Sequence, residues 1–296
     1  MAKIRVFDSL YNILISEKVK LKIEKIILII GVISFVIHLA LIYLKRYVIL
    51  DLFEASNFFD DPIAAIYTPF SFILIYEVYL LIFYLPRSIT TYITKQYEII
   101  TLIVIRRIFK DLSNLELTSN WFEIKNDIAF TYDIITALLL FFLIYLFSYL
   151  RDNLDRLDSL DHLESPQIQQ FIKIKKIMAS ALIPIFIVIG LFTFSGWVTS
   201  SVPSNISAAL KDVNSLFFDE FFAVLIIVDV LLLLVSFFYT DKFHKVIRNS
   251  GFIISTILIR MSFTVEGFIN NILIIASIVF GLGILWIHNK FAKNLL

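Results

Sequence analysis

Ile99-Ile-Thr-Leu-Ile-Val-Ile-Arg106 and Ile253-Ile-Ser-Thr-Ile-Leu-Ile-Arg260 are two versions of one apolar octapeptide, each closed by an arginine. In both, an acid stands upstream in an apolar run: Glu77 before Arg106, Asp229 before Arg260. Charged side chains are expensive in apolar surroundings, so an acid and an arginine recurring in register point to a site inside a membrane.

The surrounding sequence fixes the class. Hydrophobic residues make up 59% of the chain, well above the roughly 45–50% of soluble domains, and the mean hydropathy is +0.87. Ile26–Leu44 is apolar but for Ser34 and His38, and Phe221–Tyr239 holds a single acid. Such runs, about 20 residues long, cross a bilayer as helices. Clear spans are expected at 26–44, 63–85, 128–150, 177–198, 219–239 and 267–287. Segments 88–109 and 246–265 are ambiguous, since each opens on a polar third. Tyr43, Tyr47, Tyr84, Tyr145, Tyr149, Trp197, Tyr239 and Trp286 fall near span ends, as interfacial anchors do.

Charge decides between two threadings. With both ambiguous segments spanning, 18 Lys and Arg fall on the side of the N-terminus and 7 on the other; with neither spanning, the division is 15 to 11. Basic residues gather on the cytoplasmic side, so eight spans are expected, with both termini cytoplasmic. The expected fold is an all-α polytopic bundle of two parallel four-helix repeats. The alternative is six spans with two re-entrant or interfacial helices.

Further landmarks recur in order. Lys22-Ile-Glu-Lys25 resembles Lys173-Ile-Lys-Lys176, and Phe58-Phe-Asp-Asp61 resembles Phe217-Phe-Asp-Glu220. The organisation expected is an N-terminal cytoplasmic segment 1–19, a first repeat 20–150, a charged interfacial linker 151–171 and a second repeat 172–296. Leu154, Leu157, Leu160 and Leu163 recur every three residues among alternating charges, which suits a short interfacial helix that Pro166 would break. A polar N-terminal stretch without a small-residue cleavage site leads into the first run, so that span is expected to be retained.

The second copy resembles the phosphate-starvation-inducible E (PsiE) family of small four-helix bacterial inner-membrane proteins. The likeness rests on Phe243-His-Lys-Val-Ile-Arg248, the octapeptide ending at Arg260, and Leu285-Trp-Ile-His-Asn-Lys290. Family members open the third helix with a basic residue and place an arginine twelve positions on, as Arg248 and Arg260 stand here. Asp229 matches the acid of the family's second helix, and copy one echoes the pattern with Glu77, Lys95 and Arg106 or Arg107. The resemblance implies a four-helix unit in a bacterial cytoplasmic membrane and a stress-linked setting, without an established activity. Two such units in one chain depart from the family pattern.

The candidate intramembrane polar residues are Glu77, Arg106, Arg107, Asp133, Asp229, Arg260 and His38. Mid-span carboxylates must find a partner, water or a proton. Two readings follow: ion pairs that fix helix packing in a structural or regulatory protein, or a proton or small-ion pathway through Glu77, Asp229, Arg106 and Arg260. Asp133 stands near the expected level of Arg106, either paired with it or solvated at the interface. His38 reads as a hydrogen-bonded packing residue or a proton relay. Adjacent arginines at one place do not make a voltage sensor, and 7 glycines leave no carbonyl-lined filter. The absence of cysteine excludes disulfides and thiolate metal sites. No phosphate-binding loop, zinc-protease motif or nucleophile elbow occurs, so neither an enzyme nor a cofactor is expected. The expected partners are the lipid bilayer and a second copy or another membrane protein. Basic residues at span edges suit lipid headgroups, not nucleic acid.

Overall fold

The computed structural model describes residues 11, 13–47, 62–112, 115, 125–158, 166–201, 206–239, 243–265 and 267–294. Among them the regular structure is entirely helical. The long helices are α1 (Glu17–Tyr47), α2 (Tyr67–Tyr84, after a 3-10 turn at Pro62–Ile66), α3 (Ile89–Leu112) and α4 (Lys125–Asp158). They continue with α5 (Pro166–Ser201), α6 (Ile206–Tyr239), α7 (Phe243–Ser262) and α8 (Phe268–Asn294). The Phe58–Asp61 landmark and the linker centre at 159–165 lie outside the described residues. Arg151–Asp158 extend α4 instead of opening a separate helix, and Pro166 begins α5. At a first helical position proline loses nothing, because that N–H has no intrahelical partner.

Among the described residues five helices are long and apolar enough to cross a membrane: Glu17–Lys45, Asp127–Asp152, Gln169–Phe192, Glu220–Tyr239 and Phe268–Lys293. The apolar part of α2, Thr68–Tyr84, is shorter. The burial pattern reverses that of a water-soluble domain. Val32, Ile33, Val36 and Ile37 of α1, Leu138 and Phe142 of α4, and Val188 and Phe192 of α5 face outward. Thr94, Gln96 and Thr101 of α3, and Asn249, Ser255, Thr256 and Arg260 of α7, face inward. Hydrocarbon accepts the first set, while the polar groups need partners inside the bundle.

Successive helices pack on each other: α1 on α2, α2 on α3, α3 on α4, then α5 on α6, α6 on α7 and α7 on α8. The two quartets join through α4 on α8, α3 on α7 and α2 on α5. Polar contacts show how the ends align. Arg87, just after α2, bonds Glu17 at the start of α1 at 2.9 Å, and its carbonyl accepts from Lys175 early in α5 at 2.6 Å. The starts of α1 and α5 therefore share one end of the bundle. Late in α4 and α8, Asn289 Nδ2 donates to the Leu150 carbonyl at 2.9 Å, so these two helices run parallel.

Local chemistry shapes the two tight turns that position the site. Pro86 cannot continue α2, and Ser88 Oγ caps α3 by accepting from the Thr91 N–H at 3.1 Å. After α7, the N–H groups of Phe263, Thr264 and Val265 reach back three residues at 3.1–3.2 Å, and Gly267 turns the chain at φ 74. A side chain at that angle would be strained, so glycine suits it. In the core, buried Phe147 meets Tyr97 edge-on at 5.0 Å and Phe252 at 5.7 Å, joining α3, α4 and α7.

Candidate functional site: buried carboxylates and arginines

Helical phase brings Thr256 and Arg260 onto one face of α7, four residues apart, and Tyr92 and Gln96 onto one face of α3. Both faces meet Asp229 on α6. Its Oδ1 accepts from the Tyr92 hydroxyl at 2.9 Å. Its Oδ2 accepts from Arg260 Nη2 at 2.8 Å and from Gln96 Nε2 at 3.4 Å. The Thr256 hydroxyl lies 3.5 Å from Oδ2 but gives its one proton to the Ile253 carbonyl at 2.9 Å. Asp229 is 0% exposed and Arg260 5%. Three donors from α3 and α7 thus meet a carboxylate that offers about four acceptor positions. The pair is neutral overall, yet Arg260 Nη1 lies buried without a hydrogen-bond partner among the described residues. Stranding that N–H is a cost the rest of the cluster must offset.

A second cluster closes the opposite end from Arg87. Arg107 grips Asp133 with two donors, Nε to Oδ2 and Nη2 to Oδ1, the latter at 2.7 Å. Such a fork-on-carboxylate contact is directional as well as ionic. Arg107 also donates to the side-chain oxygens of Asn270, at 2.9 Å, and Asn271 at the start of α8. Asn271 Nδ2 returns a bond to Asp133 Oδ1 at 2.7 Å, and Asn270 Nδ2 satisfies the Ser262 carbonyl at 2.6 Å. Asp133 is thus buried and bonded to Arg107, neither solvated nor held by Arg106. Adjacent helical residues diverge by about 100°, so Arg106 points away from Asp133; its charge is felt at Glu77 on α2. Arg106 makes other contacts as well. Glu77 is buried and has no hydrogen bond among the described residues. His38 Nδ1 lies 2.5 Å from Thr68 Oγ1 at the start of α2. That is nine residues before Glu77, roughly 13 Å along the helix.

The polar partners Tyr92, Gln96, Thr256, Asn270 and Asn271 carry much of both clusters and were not singled out above. For Tyr92 and Gln96 the signal was the polar third of 88–109 and the i, i+4 spacing within it, which reads equally well as a span cut short. His244 and His288, far apart in sequence, stack at 5.2 Å between α7 and α8, with Arg248 Nη1 3.2 Å from His288 Nε2. Among the described residues no group of three metal-binding side chains gathers.

Replacing Arg107 by Leu is expected to destabilise the protein by about 2 kcal/mol, below the ~3–5 kcal/mol of a fully buried pair because Arg107 is partly exposed. Thermal unfolding in detergent checks this. A loss below ~0.5 kcal/mol would mean that Asp133 is held without Arg107.

Apolar helices turned to lipid, with charges paired inside, define an integral membrane protein in contact with the bilayer. The chain matches no protein-family model, no curated protein and no solved structure.

Proposed function

We propose that the chain is a non-enzymatic, eight-span membrane protein with a structural or regulatory role. Its two tandem four-helix units face the same way, with both termini cytoplasmic, in a bacterial cytoplasmic membrane. Support for the duplication comes from the recurring landmarks and from the order of helix packing, which repeats from α1–α4 to α5–α8. The shared end of α1 and α5, together with the excess of Lys and Arg at that end, supports the orientation. The resemblance to the PsiE family adds a stress-linked setting.

One observation carries the structural role: Asp229 is paired with Arg260, held by two further donors on α3 and shut off from solvent. A carboxylate so held ties α6 to α3 and α7, and its charge is already matched by a fixed cation and not open to a passing ion. The purified protein in liposomes is expected to give no proton or small-ion flux above empty vesicles under any gradient or voltage. Flux that Asp229→Asn abolishes at unchanged thermal stability would overturn the reading.

A further inference from the structure

The bundle treats its carboxylates unequally. Asp229 has three donors, and Asp133 has Arg107 and Asn271. Glu77 is buried to the same degree, at 5% exposure, and no hydrogen bond reaches it among the described residues. The charged groups on the helices packed against α2 are committed elsewhere or distant. On α1, Glu24 accepts from the Tyr76 hydroxyl at 2.9 Å and His38 is joined to Thr68. On α3, Arg107 is taken up by Asp133, and Arg106 is the charge that acts on Glu77. On α5, Lys175 donates to the Arg87 carbonyl.

We infer that Glu77 is a proton-exchange site inside the bundle, whereas Asp229 is a closed strut. A buried carboxyl without donors is satisfied only by what comes to it, a proton or a water carrying one. Asp229 has no such opening, because bringing a proton there means displacing bonded donors from two helices. The duplicated acid would thus have parted into two roles, one locking the helices and one exchanging. This goes beyond the structural reading above and can fail without it.

Dicyclohexylcarbodiimide tests the difference. This apolar reagent enters bilayers and converts protonated carboxylic acids into stable N-acylureas. The full chain in lipid vesicles is treated with it, and the modified carboxyl is located by peptide mass. The expected result is modification at Glu77 and none at Asp229, faster as the pH is lowered, because only the protonated acid reacts. Glu77→Gln should lose the label and Asp229→Asn should keep it. Absence of label at Glu77, equal labelling of Asp229, or a rate independent of pH would each overturn the inference. Because Glu77 and Asp229 are compared within one wild-type molecule, the result stands even if a variant fails to fold.

Discussion

Replacing Arg260 by Leu is expected to lower the free energy of unfolding by about 3–5 kcal/mol, the range for removing one member of a buried ion pair. The loss comes from what remains. Asp229 would keep Tyr92 and Gln96 but would lose its counter-charge at 0% exposure, with no route to water. Leucine supplies hydrocarbon of similar bulk, so the effect is electrostatic more than a packing defect. Arg260→Lys should recover only part of the loss, since the shorter, more strongly hydrated ammonium must be desolvated to replace the single Nη2 contact across the α6–α7 interface. Denaturant unfolding in detergent, followed by loss of helix signal, gives the measurement. A change within ~0.5 kcal/mol of wild type would show that the pair does not hold Asp229 in place.

Gly281→Ala should be the next most damaging small change. A Cβ there would stand 1.9 Å from the Tyr97 hydroxyl oxygen and 3.1 Å from Ser255 Oγ. Tyr97 cannot swing aside. Its ring is fully buried against Phe147, and its hydroxyl bonds Ser255 at 2.7 Å. Overpacking of this kind costs about 1–3 kcal/mol, and the displaced hydroxyl bond adds about 1 kcal/mol. Two comparisons make the expectation specific. Tyr97→Phe removes the clashing oxygen, so the double variant should be more stable than Gly281→Ala alone. Gly283, two residues on, has nothing within 4 Å of its added Cβ. Gly283→Ala should therefore stabilise α8 by up to ~1 kcal/mol through helix propensity. Equal effects at Gly281 and Gly283 would contradict the close approach of α3 and α8. Thermal unfolding in detergent measures both.

The helices themselves were legible, because long apolar runs announce themselves. The difficulty lay in α3 and α7, whose polar residues made them look too short. A helix enclosed by neighbours need not be apolar all round, since other helices, and not lipid, receive its polar face. The α3 helix has 24 residues, about 36 Å of rise, against a hydrocarbon core near 30 Å. Its apolar run is interrupted because Thr90, Thr94, Gln96 and Thr101 point inward.

The sites were legible in type and less so in partner. Asp229 and Arg260 stand out as charges in apolar runs, and they lie on consecutive helices. Arg106 and Arg107 are indistinguishable until helical phase is fixed, and phase decides which one faces α4. Tyr92 could not have been assigned to Asp229, 137 positions away. That contact depends on how α3 nests against α6 and α7, which no local pattern encodes. The same is true of Asn270 and Asn271, whose roles follow from the tight α7–α8 turn at Gly267.

The claim that Asp229 and Arg260 form one strut is tested most directly by a double-mutant cycle. Asp229→Leu, Arg260→Leu and the double variant would be unfolded in the same detergent as wild type. If each residue exists to satisfy the other, the double variant loses less than the two single losses combined, by about 1–3 kcal/mol. Losses that add within ~0.5 kcal/mol would mean the two charges do not depend on each other, and the strut would be contradicted.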